Sequence, residues 1–125
     1  MTTLELNMAA TGTLLLLSVF SGTALRLFGR PLHKLIFAVH KLLAVGFTVM
    51  AVILVRLYLI EDANATLIFL AIAAALILLI LLVSGGLLSF DKRATEGLKA
   101  SHRLASLTIV LLLIVLSYLV FKAMQ

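Results

Sequence analysis

The chain has 125 residues, 64% of them hydrophobic and only 12% charged, with ten Lys and Arg against five Asp and Glu. A soluble domain carries about 45–50% apolar and about 25% charged residues, so most of this chain's surface is suited to lipid, and its net charge of +5 bears on membrane topology rather than on nucleic acid. The absence of cysteine excludes disulfides, thiolate zinc sites and Fe–S clusters built from this chain.

The first seven residues, Met1-Thr2-Thr3-Leu4-Glu5-Leu6-Asn7, lack the basic region of a signal peptide, and no small-residue cleavage site stands out after them. The apolar run that follows therefore reads as a retained helix. A helix needs about 20 mostly apolar residues to cross a hydrocarbon core of about 30 Å. Four segments qualify, roughly 8–28, 32–59, 65–88 and 96–124. The first connection is Gly29-Arg30-Pro31, with glycine as a helix stop and proline suited to the first position of the second helix. The second is Glu61-Asp62-Ala63-Asn64, where Asp62 or Asn64 can cap the third helix. The third runs from Ser89 to Thr95, and Thr95-Glu96 opens the fourth helix. Connections this short make neighbouring helices antiparallel. The expected fold is all-α and integral to the membrane: a four-transmembrane-helix bundle filling residues 1–125 as a single membrane domain. Trp is absent and Tyr occurs twice, so no Trp belt marks the interfaces.

The cations are unevenly placed. Arg26, Arg30, Lys34, Lys41, Lys92, Arg93, Lys99 and Arg103 lie around the first and third connections, whereas only Arg56 and Lys122 lie at the opposite ends. Under the positive-inside rule this makes loops 29–31 and 89–95 cytoplasmic and puts both termini outside. The same cations suit anionic lipid headgroups.

The two halves also resemble each other. Ser21-Gly22 recurs as Ser84-Gly85, 63 residues later, and His40-Lys41 recurs as His102-Arg103, 62 residues later. We read two tandem two-helix repeats, about 8–60 and 65–124, related by an axis along the membrane normal. That symmetry sets His40 and His102 at one depth on opposite sides of the bundle, roughly 9–12 Å in from the basic face. Gly22 and Gly85 come to similar depth on the adjacent helices. A glycine there lets a flat group approach the backbone, or lets two helices touch. Gly46, in mid-helix, reads as a packing contact, and Ala71 to Ala75 includes a small-residue face suited to helix contact.

An imidazole inside a membrane segment is costly and therefore a functional candidate. The plain alternative is a histidine that hydrogen-bonds a lipid phosphate or a neighbouring helix. As a matched pair, His40 and His102 suit axial ligation of one haem iron, with the metal bound by these two residues alone. Arg26, Arg30, Lys34, Lys92 and Arg93 would lie toward the haem propionates, and the small Ala44 and Ser106 leave room beside each ring. His33 lies about 10 Å from His40 on nearly the same face and reads as interfacial, or as a contact to a propionate or a quinone headgroup. Its counterpart in the second repeat is Thr95, so a second bis-histidine site is not expected. The five acids, Glu5, Glu61, Asp62, Asp91 and Glu96, all sit at helix ends, which removes the mid-membrane carboxylate of a proton-coupled transporter. No hydrolase constellation or phosphate loop is present.

The layout resembles the small membrane cytochromes b, namely the cytochrome b561 and ferric-reductase-like bundles and the haem-bearing anchors of quinone-linked oxidoreductases. The resemblance rests on His40-Lys41, His102-Arg103, Gly22 and Gly85. It implies one haem b held by His40 and His102 and electron exchange with quinone or a partner redox subunit; association into a homo-oligomer is also expected. Many members of those groups carry four histidine ligands and two haems, which this chain does not match. The expected role is thus an electron carrier or oxidoreductase subunit more than a self-sufficient enzyme. Two other readings stand beside it: a cofactor-free structural subunit of a larger membrane complex, and a pigment protein with magnesium held by a histidine.

Overall fold

The computed structural model describes residues 2–29, 31–59, 64–90 and 95–123. Four helices account for nearly all of them: α1 (Thr3–Phe28), α2 (Lys34–Leu59), α3 (Ala65–Phe90) and α4 (Glu96–Ala123). Each is long and apolar enough to cross a membrane. At 1.5 Å per residue, a helix of 26 residues is about 39 Å long. That exceeds the hydrocarbon core, so such a helix tilts or protrudes. The all-α membrane architecture expected from composition is the one observed.

The helix ends follow local chemistry. α1 starts five residues before the apolar run suggested, because Thr2 and Glu5 form a capping box. The Thr2 amide donates to Glu5 Oε2 at 2.7 Å, and the Glu5 amide donates to Thr2 Oγ1 at 3.2 Å. These reciprocal bonds satisfy amides that a helix N-terminus leaves unpaired. Gly29 closes α1 with φ of 69°, a left-handed value that glycine adopts without a Cβ penalty. α2 begins later than expected. Pro31 is not its first residue; Pro31, Leu32 and His33 belong to the link, and the His33 carbonyl accepts the Phe37 amide at 2.9 Å. Reversing direction takes the five residues between Phe28 and Lys34, which leaves proline inside the turn. Asn64 caps α3, its Oδ1 accepting the Leu67 amide at 2.8 Å; the alternative cap, Asp62, lies outside the described residues. α3 continues to Phe90, so Ser89 is helical and bonds the Gly85 carbonyl at 2.8 Å. Thr95 Oγ1 accepts the Leu98 amide at 3.3 Å and starts α4.

The chain divides into two compact units, Met1–Asp62 and Ala63–Gln125. Each is a helical hairpin, α1 against α2 and α3 against α4. The buried residues of the first are Thr11, Leu25, Phe47 and Ala51. In the second they are Leu67, Ala74, Ser84, Ala105 and Ile109, the last only 2% exposed. Gly46 packs against Leu14, whose methyls are 3.9 Å from where a Cβ would sit. Within the alanine-rich stretch of α3, Ala74 is buried whereas Ala75 is exposed. Large apolar side chains such as Leu42, Phe69, Leu111 and Phe121 face outward. An outer face of this kind is stable in lipid and costly in water, so the bilayer is the medium of these helices.

Hydroxyls are satisfied internally. Thr11, Thr13, Thr23, Thr48 and Thr108 each donate to the carbonyl four residues back, at 2.7–2.9 Å. Among the described residues no buried side-chain polar atom lacks a partner, as a low-dielectric surround demands.

Lipid solvates an exposed leucine about as well as a protein interior does, so only lost packing should destabilise. Ile109→Ala should therefore lower the unfolding midpoint in detergent, by part of the ~2–5 kcal/mol such truncations cost in water. Leu111→Ala, on the outer face, should leave the midpoint unchanged.

Candidate functional site

His40 and His102 are each the seventh residue of their helix, counted from Lys34 and from Glu96. The observed helix starts thus make the two repeats more alike than the expected boundaries did. In an antiparallel hairpin, a side chain one or two turns into the second helix meets the last turns of the first. There His40 finds Ser18, Ser21 and Gly22, and His102 finds Ser84 and Gly85.

In the first hairpin, His40 Nδ1 lies 3.0 Å from the Ser18 carbonyl oxygen and 3.0 Å from Ser21 Oγ. A carbonyl only accepts, so the geometry assigns a proton to Nδ1. Ser21 Oγ donates its own hydrogen to the Ser18 carbonyl at 2.9 Å, which leaves its lone pairs for the Nδ1–H. In the neutral ring Nε2 is then the basic nitrogen. The second hairpin repeats the serine contact, with one hydroxyl lying between the ring and a carbonyl. His102 Nδ1 is 2.8 Å from Ser84 Oγ, and Ser84 Oγ reaches the Leu81 carbonyl at 3.3 Å. Ser84 is 5% exposed. Thr11, Thr13, Thr23, Thr48, Ser89, Ser106 and Thr108 close local turns, whereas Ser21 and Ser84 also bond across to the next helix.

The glycines explain how the rings fit. A Cβ added at Gly22 would lie 3.0 Å from His40 Cε1 and 3.7 Å from its Nε2. At Gly85 it would lie 3.2 Å from His102 Cε1. The flat group expected against each glycine is thus the imidazole of the same hairpin. Gly12, Gly86 and Gly97 have nothing within 4 Å of the corresponding point, so close approach is particular to the histidine sites and, more loosely, to Gly46.

The basic residues divide. Arg26, in the last turn of α1, and Lys34, at the first residue of α2, are exposed at the same end of their hairpin as His40. Lys41 lies over the Phe37 ring, 4.4 Å from its centroid, a cation–π contact. Lys99 is paired with Glu96 at 2.7 Å. Arg30, Lys92 and Arg93 lie outside the described residues. His33 is exposed ahead of α2, Ala44 and Ser106 are partly buried, and Ser106 bonds the Arg103 carbonyl at 2.8 Å. Among the described residues, no three metal-ligating side chains come together.

The sequence marks Ser21 and Ser84 only as repeat partners and assigns them no role. Their recurrence within one residue of the offset of the histidines is the available signal.

Overpacking a filled contact costs about 1–3 kcal/mol, so thermal unfolding in detergent should rank three glycine variants. Gly22→Ala should destabilise most, Gly85→Ala less, and Gly46→Ala, whose new methyl meets only ordinary contact, least.

No family model, curated protein or solved structure matches this chain.

Proposed function

We propose that the chain is a membrane electron carrier of the b-cytochrome type, in which His40 and His102 would hold one haem b. The observation that supports this reading is the repeated Ser–His–Gly arrangement, in which Nδ1 is held by the preceding helix and, in the first hairpin, the Ser18 carbonyl leaves Nε2 as the basic nitrogen. Histidines that ligate a metal through one nitrogen commonly donate the other N–H to a carbonyl or similar acceptor, which fixes the ring and raises its basicity. His40, donating Nδ1–H to a carbonyl, is held in the way such a ligand commonly is. Bound haem would supply one-electron exchange between its ferrous and ferric states.

The protein's own contribution is positional. His40 and His102 supply two neutral nitrogen donors, and Gly22 and Gly85 give each imidazole room against the neighbouring backbone. Arg26 and Lys34, exposed at the His40 end of their hairpin, would meet the propionates, and Arg30 and Arg93 are assigned the same role from their place in the sequence alone. The apolar helices exclude water around the donors. Quinone or a partner redox subunit would exchange the electron. Under the positive-inside rule, loops 29–31 and 89–95 face the cytoplasm and both termini face outward.

A second reading, a cofactor-free structural subunit, has its own support: both imidazoles already clasp the two helices of their hairpin. Interhelical hydrogen bonds in membranes average about 0.6 kcal/mol. Such a clasp adds little to the packing of two long helices, so stability is a weak reason to keep an imidazole there.

The deciding measurement is a reduced-minus-oxidised absorption spectrum of the purified protein after expression with haem supplied. The expected result is a pair of sharp low-spin bands in the wild type, absent from His40→Ala and from His102→Ala. A stable, colourless wild type would overturn the haem reading and leave the structural one. Topology is tested separately, since the chain has no cysteine. Thr95→Cys should label only from the cytoplasmic side and Thr3→Cys only from outside.

A further inference from the structure

We infer that Ser84, and Ser21 together with the Ser18 carbonyl, are positioning groups that hold His102 and His40 with the proton on Nδ1 and so direct Nε2 toward a metal. This rests on the haem reading above and adds to it the groups that choose the ligating nitrogen. A free imidazole exchanges between two tautomers and turns about two torsions, so an unheld ring offers a metal either nitrogen in many orientations. Here each ring meets a hydroxyl whose own hydrogen is directed to a main-chain carbonyl of its helix. Ser21 donates to Ser18 and Ser84 to Leu81. The hydroxyl therefore presents lone pairs to Nδ1, at 3.0 Å in one hairpin and 2.8 Å in the other. The adjacent glycine places the ring edge against the helix, within 3.0–3.2 Å of where a Cβ would project. Hydroxyl and glycine together fix which nitrogen is protonated and how the ring lies.

The acceptors are neutral. A hydroxyl or carbonyl draws less on the Nδ1 proton than a carboxylate does, so the ligand stays an ordinary imidazole with a modest gain in basicity. Loss of the acceptor makes Nε2 a weaker donor and disfavours the ferric state.

The test uses the full chain in lipid nanodiscs with 15N-labelled histidine, His33→Asn clearing the third signal. In the haem-free protein both remaining histidines should show a protonated Nδ1 and an unprotonated Nε2. Ser21→Ala should move the Nδ1 resonance of His40 alone, with the Ser18 carbonyl still holding the proton there. Ser84→Ala should move that of His102 alone. Ser21→Thr and Ser84→Thr, which keep the hydroxyl, should restore the wild-type signals, and they decide the matter if an alanine variant fails to fold. With haem bound, Ser84→Ala should shift the midpoint potential in the positive direction while the spectrum stays low-spin. Wild-type histidines protonated on Nε2, or resonances unmoved by the neighbouring alanine, overturn the inference even if haem binds. The stated tautomers in a protein that takes up no haem overturn the haem reading alone.

Discussion

The contact between an imidazole and a glycine on the preceding helix is the constraint around which each hairpin is arranged. The ring can lie there only because Gly22 and Gly85 have no side chain, and it stays there because Nδ1 finds an acceptor one residue earlier, at Ser21 and Ser84. In water such a polar contact would compete with solvent. In hydrocarbon the alternative is an unpaired N–H, whose burial costs several kcal/mol. The pair therefore sets the register of α1 against α2, and of α3 against α4, more through that penalty than through its modest net strength.

Around this point the remaining chemistry is economical. Helix hydroxyls return their hydrogens to their own backbone, the first turns are capped by Thr2 with Glu5, by Asn64 and by Thr95, and the charged groups lie toward helix ends. Among the described residues, the two Ser–His pairs are side-chain hydrogen bonds that join one helix to the next. A chain so uniformly apolar elsewhere makes these two positions the natural place to look for a cofactor.

Under the proposed function the same arrangement would serve two purposes. A histidine clasped at Nδ1 ties two helices together, and it also offers a basic Nε2. These purposes do not conflict, because they use different nitrogens. A metal would add to the clasp without replacing it, so a hairpin of this kind is organised before any cofactor arrives.

Sequence alone determined the medium, the number of helices and the repeat. Those properties rest on composition and on runs of about 20 apolar residues, which are local and do not depend on what packs against what. It also singled out His40, His102, Gly22 and Gly85, because a polar or side-chain-free residue stands out in a leucine-rich helix. It placed the start of α1 five residues late and that of α2 two residues early, because end positions depend on side-chain bonds and on the residues a reversal consumes. Only the tertiary structure decided that the glycines receive the histidines of their own hairpin, and that Ser21, Ser84 and the Ser18 carbonyl hold Nδ1. The physical reason is that a hydrogen bond between residues 18 to 22 positions apart follows from the packing register of two helices, and hydropathy along one chain carries no record of that register.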